Sequence, residues 1–363
     1  MSNPLISICM LSYNHEQYVA ESIESVLTQT YKNIELIIVD NASEDRTKEI
    51  IEFYTNKDNR ISFYPMEENT FVSYGINYAI QQAKGEFIAT LSADDYFEKD
   101  KISIQLAYML KSGITNSFTW INSVNDQGEK IESPIETQFN QEFTWKSLQK
   151  YFLIYGNTLC AVTCIFHKSI FEKYGYFDNR LLQAQDFDLW LRIIKYEPLY
   201  ILPQQLTNYR VRDDGDNLSI NMTTEAKNRS IFETVYFMKH ILDFDLDLLT
   251  EVVGSKCTVD NKYKMLFEFY KKNEQHMFST AILFAMYEDL GPQFDFPSEM
   301  YKDFFQIYSK HDLFQDNRIN QLTEIITTKD NQIIELNTLA HKQEEEIERL
   351  SLKNRVKSLL GLK

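Results

Sequence analysis

The sequence predicts an open α/β sheet joined to a helical half. Three observations carry that expectation: apolar runs alternate with helix-period segments through residue 95, polar clusters follow those runs, and strand signals vanish near Asn221. The first strand is LISICML at Leu5 to Leu11, followed by the polar turn Ser12-Tyr13-Asn14-His15. A helix from Glu16 to Gln29 comes next, because Val19, Ile23, Val26 and Leu27 recur at helical spacing. IELIIVD is a second, nearly continuous apolar strand ending in Asp40. Asn41-Ala42-Ser43 is expected to open another helix, with Ser43 as N-cap and Glu44 and Asp45 in the first turn, where acidic side chains suit the dipole. ISFYP from Ile61 is a short strand, FVSYGINYAIQQA a helix and EFIATL a fourth strand. Ligands of such sheets bind beyond the carboxyl ends of the strands, where Ser12, Tyr13, Asp40 and Asp94 fall.

Two places carry chemistry. In GEFIATLSADD a buried strand delivers Asp94 and Asp95 into a loop. Paired carboxylates suit a divalent cation that keeps open positions for diphosphate oxygens, whereas a strand-end Asp on its own usually caps the next helix. In AQDFDLWLRII, Asp186 opens a helix whose buried face is Leu189, Trp190, Ile193 and Ile194; the residues alone leave it a cap or a functional carboxylate. The first turn, SYNHEQ, lacks the glycine-rich loop of dinucleotide-binding folds, which speaks against a dehydrogenase or nucleotidyltransferase.

LISICMLSYN, VDNASEDRT, NTFVSYGINYAIQQAKGEFI running into LSADD, and QDFDLWLR stand in the order and spacing of the inverting family 2 glycosyltransferases, which the chain resembles from its start to about residue 215. The resemblance implies a GT-A fold, the Rossmann-like domain of nucleotide-diphospho-sugar transferases. It implies transfer of a sugar with inversion from a nucleoside-diphosphate sugar, UDP- or dTDP-linked, to a carbohydrate or lipid-linked glycan acceptor of the bacterial surface type. Carried over residue by residue, it makes Ser12, Tyr13, Asn14, Asn69, Ser92 and Ala93 donor-binding, with Asp40 accepting from the base imide. Asp94, with Asp95 beside it, would bridge Mg2+ or Mn2+ to the diphosphate, and Asp186 would be the general base.

The chain departs from the family pattern at several positions: Ser92 replaces the first Asp of the acidic loop, Phe71 a Gly, Ile76 an Arg, Gln185 a Glu and Arg212 a His. A guanidinium cannot ligate a metal but pairs with phosphate oxygens, so Arg212, with Arg210, is expected to neutralise diphosphate charge; the alternative is a surface Arg beside Asp213 and Asp214. These departures keep a second class open, a catalytically degenerate domain that binds nucleotide or acts as a scaffolding oligomer.

The 363 residues divide in expectation into a GT-A domain at 1–220, a helical domain at 221–312, a coiled coil at 313–352 and a basic amphipathic tail at 353–363. Residues 111–168 should build the acceptor side, with Trp120, Phe143, Trp145, Tyr151 and Tyr155 able to stack on sugars or to serve as core, and with CAVTCIF as a strand. Four cysteines read as buried reduced thiols of a cytosolic protein, and six scattered histidines give no metal site. A net charge of -16 argues against nucleic-acid binding. From Ile319 to Leu350 five heptads, interrupted by Lys329 and Gln343, predict a homo-oligomer, or else one long helix docked on its own domain. The tail, with Lys353, Arg355, Lys357 and Lys363 among leucines, suits peripheral contact of residues 350–363 with the inner face of the plasma membrane, or a solvated helix end. The Leu5 to Leu11 run lacks the basic lead of a signal peptide, and no run approaches a membrane span, so a cytoplasmic location is expected.

Overall fold

The structure is a computed structural model that describes residues 3–212, Asn217 and residues 223–290. The heptad segment and the basic tail lie outside the described residues. The chain divides into two compact units, Met1–Leu283 and Phe284–Lys363, so the helices that follow the sheet as far as Leu283 belong to the first.

The first unit begins with β1 (Ile6–Ser12), α1 (Val19–Leu27), β2 (Ile34–Asp40), α2 (Thr47–Thr55), β3 (Ile61–Pro65), α3 (Phe71–Gln82) and β4 (Phe87–Ser92). β5 (Tyr96–Phe97), α4 (Lys101–Ser112), β6 (Asn116–Val124), α5 (Pro134–Phe139) and α6 (Trp145–Tyr155) follow. Then come β7 (Ile165–His167), α7 (Ser169–Tyr174), α8 (Gln185–Ile194) and β8 (Ile201–Arg210). Past β8 the described elements are helical: α9 (Thr224–Phe237), a 3-10 turn (Met238–Asp243), α10 (Leu246–Val253), α11 (Lys262–Lys272) and α12 (His276–Leu290).

Among the described residues the strands form one mixed sheet in the order β3-β2-β1-β4-β7-β6-β8-β5. β1 pairs in parallel with both β2 and β4, so the strand order reverses at β1 and a crevice opens at the carboxyl ends. Register makes this concrete: Ser12 is opposite Asp40, and Leu11 is opposite Ser92. The sheet core is aliphatic, with Ile6, Ile8, Met10, Leu36, Ile38, Ala89 and Leu91 against Val19, Ile23 and Val26 of α1. Runs buried on both faces explain why these strands read as continuous apolar stretches. Gly85 is required where β4 begins, because a Cβ there would stand 2.6 Å from Ser7 Oγ and 2.8 Å from the Leu5 carbonyl.

Three local expectations are corrected. Ser43 is not a helix N-cap: α2 starts at Thr47, because Asp40 captures the Ser43 amide at 3.0 Å and its hydroxyl at 2.5 Å and holds the segment as a loop. α1 starts at Val19 rather than Glu16, since the His15 carbonyl accepts from both Tyr18 and Val19 in a preceding turn. CAVTCIF is mostly not strand. Ala161–Thr163 is a 3-10 turn whose carbonyls serve side chains, Ala161 accepting from Thr90 Oγ1 at 2.6 Å and Thr163 from Lys101 Nζ at 3.1 Å, so only Ile165–His167 joins the sheet.

Candidate active site

A cavity of about 780 Å3 lies at the carboxyl ends of β1 and β4 and is closed on the far side by α5, α8 and α9. Of the residues expected to bind donor, metal or acceptor, Ser12, Tyr13, Asn14, Asn69, Ser92, Asp94, Asp95, Asp186 and Arg212 line it. Asp40, Ala93 and Arg210 do not border the cavity and stand directly behind its wall.

The β1 end is built by carboxylate and amide bridges. Ser12 Oγ donates to Asp40 Oδ1 at 2.9 Å, and Asp40, only 1 % exposed, also holds Ser43. Asn14 takes the left-handed conformation, φ 54°, which Asn tolerates through its local hydrogen bonds; its amide donates to Ser43 Oγ, and its Oδ1 accepts from Glu44. Asn41, expected from the sequence only at a helix start, instead joins this wall to the loop before α3: its Nδ2 donates to Asn69 Oδ1, and its Oδ1 accepts from the Thr70 amide and hydroxyl, each at 2.8 Å. Phe71 follows with φ 64° and a largely exposed side chain bordering the cavity, a strained conformation for an aromatic residue.

The acidic loop is clamped from behind. Ala93 extends the β1 ladder by donating to the Leu11 carbonyl at 3.0 Å, and Asp95 closes a turn onto Ser92. Ser92 Oγ donates to Asp94 Oδ1 at 2.5 Å, so the hydroxyl in place of a carboxylate orients Asp94. Asp95 accepts the Arg210 amide at 2.8 Å, and burial together with the Asp94 charge raises its proton affinity well above the ordinary carboxylate value. The Arg210 guanidinium, 1 % exposed, donates to the carbonyls of Asp94, Asn125 and Asp126 and to Glu21, with the Tyr18 ring 4.7 Å away. Arg210 therefore holds the loop, and its donors face protein rather than the cavity. Arg212 borders the cavity over Tyr18, at 5.6 Å from the ring.

His15 is a further cavity residue that sequence reasoning passed over. Its Nε2 lies 3.8 Å from Asp94 Oδ2, and its buried Nδ1 has no hydrogen-bond partner among the described residues. Among the described residues no cluster of three or more His, Cys, Asp or Glu side chains makes a protein-only metal cage. The Asp94 carboxylate and the neighbouring imidazole fit a cation that takes its remaining ligands from a bound diphosphate and water.

Asp186 is on the first turn of α8 but does not cap it: the N-cap is Ala184, and Asp186 Oδ1 accepts the adjacent Phe187 amide at 2.7 Å. Its Oδ2 accepts from Asn157 Nδ2 at 3.0 Å. Crowding by protein raises the Asp186 pKa to about 6, against the lowering effect of these hydrogen bonds. Leu189, Trp190, Ile193 and Ile194 are fully buried and anchor the helix that presents it. Residues 111–168 supply Ile135, Gln138, Phe139, Tyr155 and Asn157 to the cavity; of the five aromatic residues singled out there, Tyr155 alone borders it. All four cysteines are buried and free.

An α/β crevice at a topological switch point, with carboxylates at a strand end and at a facing helix start, is the ligand-binding place of a Rossmann-type sheet. Residues 7–175 match the family described as Glycosyl transferase family 2. An uncharacterized glycosyltransferase of Methanocaldococcus jannaschii is 32% identical over 255 residues, covering 66% of this chain and 86% of that protein. The putative teichuronic acid biosynthesis glycosyltransferase TuaG of Bacillus subtilis is 30% identical, covering 65% of this chain and 91% of that protein. The O-antigen biosynthesis glycosyltransferase WbnJ of Escherichia coli is also 30% identical, over 63% of this chain and 88% of its own. Among solved structures, S. aureus TarS 1-349 in complex with UDP-GlcNAc shares the fold with a TM-score of 0.55 at 20% identity, over 78% of this chain and 82% of that one. The chain belongs to glycosyl transferase family 2, and its α/β domain is GT-A-like. Among the described residues no helix is long and apolar enough to cross a membrane.

Proposed function

We propose that this glycosyltransferase moves a sugar, with inversion, from a UDP- or dTDP-linked donor to a hydroxyl of a carbohydrate or lipid-linked surface glycan, with Asp186 as general base. The observation that carries the proposal is that Asp186 faces the same cavity as the β1 and β4 strand ends, its proton affinity set near neutrality by burial. The names of the Bacillus and Escherichia relatives support a surface polysaccharide as acceptor, and the TarS complex supports a uridine nucleotide as donor.

In this reading Ser12, Tyr13, Asn14 and Asn69 receive the nucleoside, and Asp40, 1 % exposed behind the cavity wall with Ser12 and Ser43 on its carboxylate, fixes that wall instead of meeting the base imide itself. Asp186 takes the proton of the acceptor hydroxyl as its oxygen attacks the anomeric carbon from the face opposite the nucleotide. The diphosphate leaves as an anion, so no second carboxylic acid is needed to protonate it. Asp94, with Asp95 behind it and His15 beside it, would hold Mg2+ or Mn2+, which supplies positive charge to the leaving diphosphate. Arg212, over the Tyr18 ring, adds charge neutralisation, while Arg210 contributes by fixing the loop. Assembly through residues 319–350 and contact of residues 350–363 with an anionic membrane complete the proposal; light scattering of full-length protein and vesicle cosedimentation test them.

The test is donor binding and hydrolysis across UDP-, dTDP- and GDP-sugars, with and without Mg2+ or Mn2+, for wild type and Asp94→Ala. Metal-dependent binding of one donor, lost in Asp94→Ala, is expected. Failure of the wild type to bind any donor would favour the scaffolding role instead.

A further inference from the structure

α8 begins badly in sequence terms. Its N-cap is Ala184, which has no oxygen to offer, and the turn ahead of it leaves the amides of Leu182, Gln183 and Ala184 pointing the same way. These three amides all donate to one carboxylate, that of Glu233 on α9: Leu182 to Oε1, Gln183 and Ala184 to Oε2, each at 2.8 Å. Glu233 is 2 % exposed, and its neighbours on the same helix face are cavity residues: Ser230, Thr234 and Phe237, the last edge-on to Phe187 at 5.4 Å. A buried carboxylate with three charge-assisted hydrogen bonds is among the stiffest connections a side chain can make to a turn.

We propose that Glu233 is a positioning residue for Asp186: from α9 it fixes the turn that launches α8, and so sets where the Asp186 carboxylate stands in the cavity. The proposal rests on Asp186 being the general base. Glu233 also acts through charge. It opposes ionisation of Asp186, while Asn157 and the Phe187 amide favour it. The other titratable groups bordering the cavity with Asp186 are the buried Cys160 thiol, Asp94, Asp95, His15, Arg212 and the phenols of Tyr13, Tyr155 and Tyr209. The turn amides of Leu182, Gln183 and Ala184 go to Glu233, so replacing Glu233 acts on the geometry of the α8 start.

The experiment compares Glu233→Gln, Glu233→Asp and Asp186→Asn in full-length protein by kcat, donor KM, pH profile and thermal midpoint, with donor hydrolysis as the reaction. Glu233→Gln keeps the size but loses the charge and one acceptor oxygen. It is expected to lower kcat at least tenfold, to leave donor KM within twofold, and to move the acid limb of kcat to lower pH. Glu233→Asp retains the charge and should keep the acid limb where the wild type has it, with kcat reduced. Wild-type kcat and acid limb in a folded Glu233→Gln would overturn the proposal. If Glu233→Gln does not fold, a displaced acid limb in Glu233→Asp overturns it. Activity of Asp186→Asn would remove the base itself, whereas an inactive Asp186→Asn beside a normal Glu233→Gln would sink the positioning role alone.

Discussion

The side-chain amide of Asn157, two residues past the end of α6, donates to Asp186 Oδ2 at 3.0 Å across 29 residues of sequence. This bond favours the ionised carboxylate, opposite in sense to the burial around it. Asn157→Ala should therefore raise the Asp186 pKa above its present value of about 6. The expected result is an acid limb of kcat shifted up by about half to one pH unit, with kcat at pH 6 reduced several-fold and kcat at pH 8, where the carboxylate stays ionised, changed by less than about twofold. A pH–rate profile of donor turnover reads both.

Asp186 also costs the fold stability. An unfolded aspartate ionises near 3.8 and this one near 6, so the native state binds the extra proton and stability declines as pH rises through that window, then levels off. Asp186→Asn removes the cost: about 2 kcal/mol more stable than wild type above pH 6, discounted for cavity water, and equal to it below about pH 4. Urea unfolding at pH 4 and pH 8 measures the difference.

Arg210 is buried with every guanidinium nitrogen donating to protein. Arg210→Ala should lose about 3–5 kcal/mol by orphaning three carbonyls and the Glu21 partner. Arg210→Lys should rescue little of it, because one ammonium cannot span that fork of acceptors. Chemical denaturation distinguishes this from a donor-binding Arg, whose loss would weaken nucleotide affinity and leave stability alone.

Phe71 holds a left-handed backbone, φ 64°, with its ring 57% exposed. Phe71→Gly should stabilise the fold by about 0.5–1 kcal/mol through relief of that strain. A loss of stability on denaturation would mean that the ring packs more than its exposure indicates.

What the sequence disclosed follows a physical line. Ile34–Asp40 was legible to the residue because a buried parallel strand is written as a nearly unbroken apolar run, and Ile61–Pro65, a half-buried edge strand, was legible from its short β-prone stretch. The acidic loop and Asp186 were legible as carboxylates at element ends. Ser43 misled because the capping preference is local, while its actual partner is the side chain of Asp40. CAVTCIF looked like strand by its apolar residues, but Thr90 and Lys101 take the carbonyls a ladder would need. Arg210 had the right chemistry for phosphate, and only burial reveals that its donors are used elsewhere. Asn157, His15 and Glu233 join the site through contacts between distant segments, and spacing in one chain carries no record of those.

The most direct test is to measure donor binding and donor hydrolysis side by side for wild type and Asp186→Asn at pH 8. The account predicts donor affinity within about twofold and turnover reduced more than about a hundredfold, the loss expected when a general base is removed. Wild-type turnover in Asp186→Asn would contradict it.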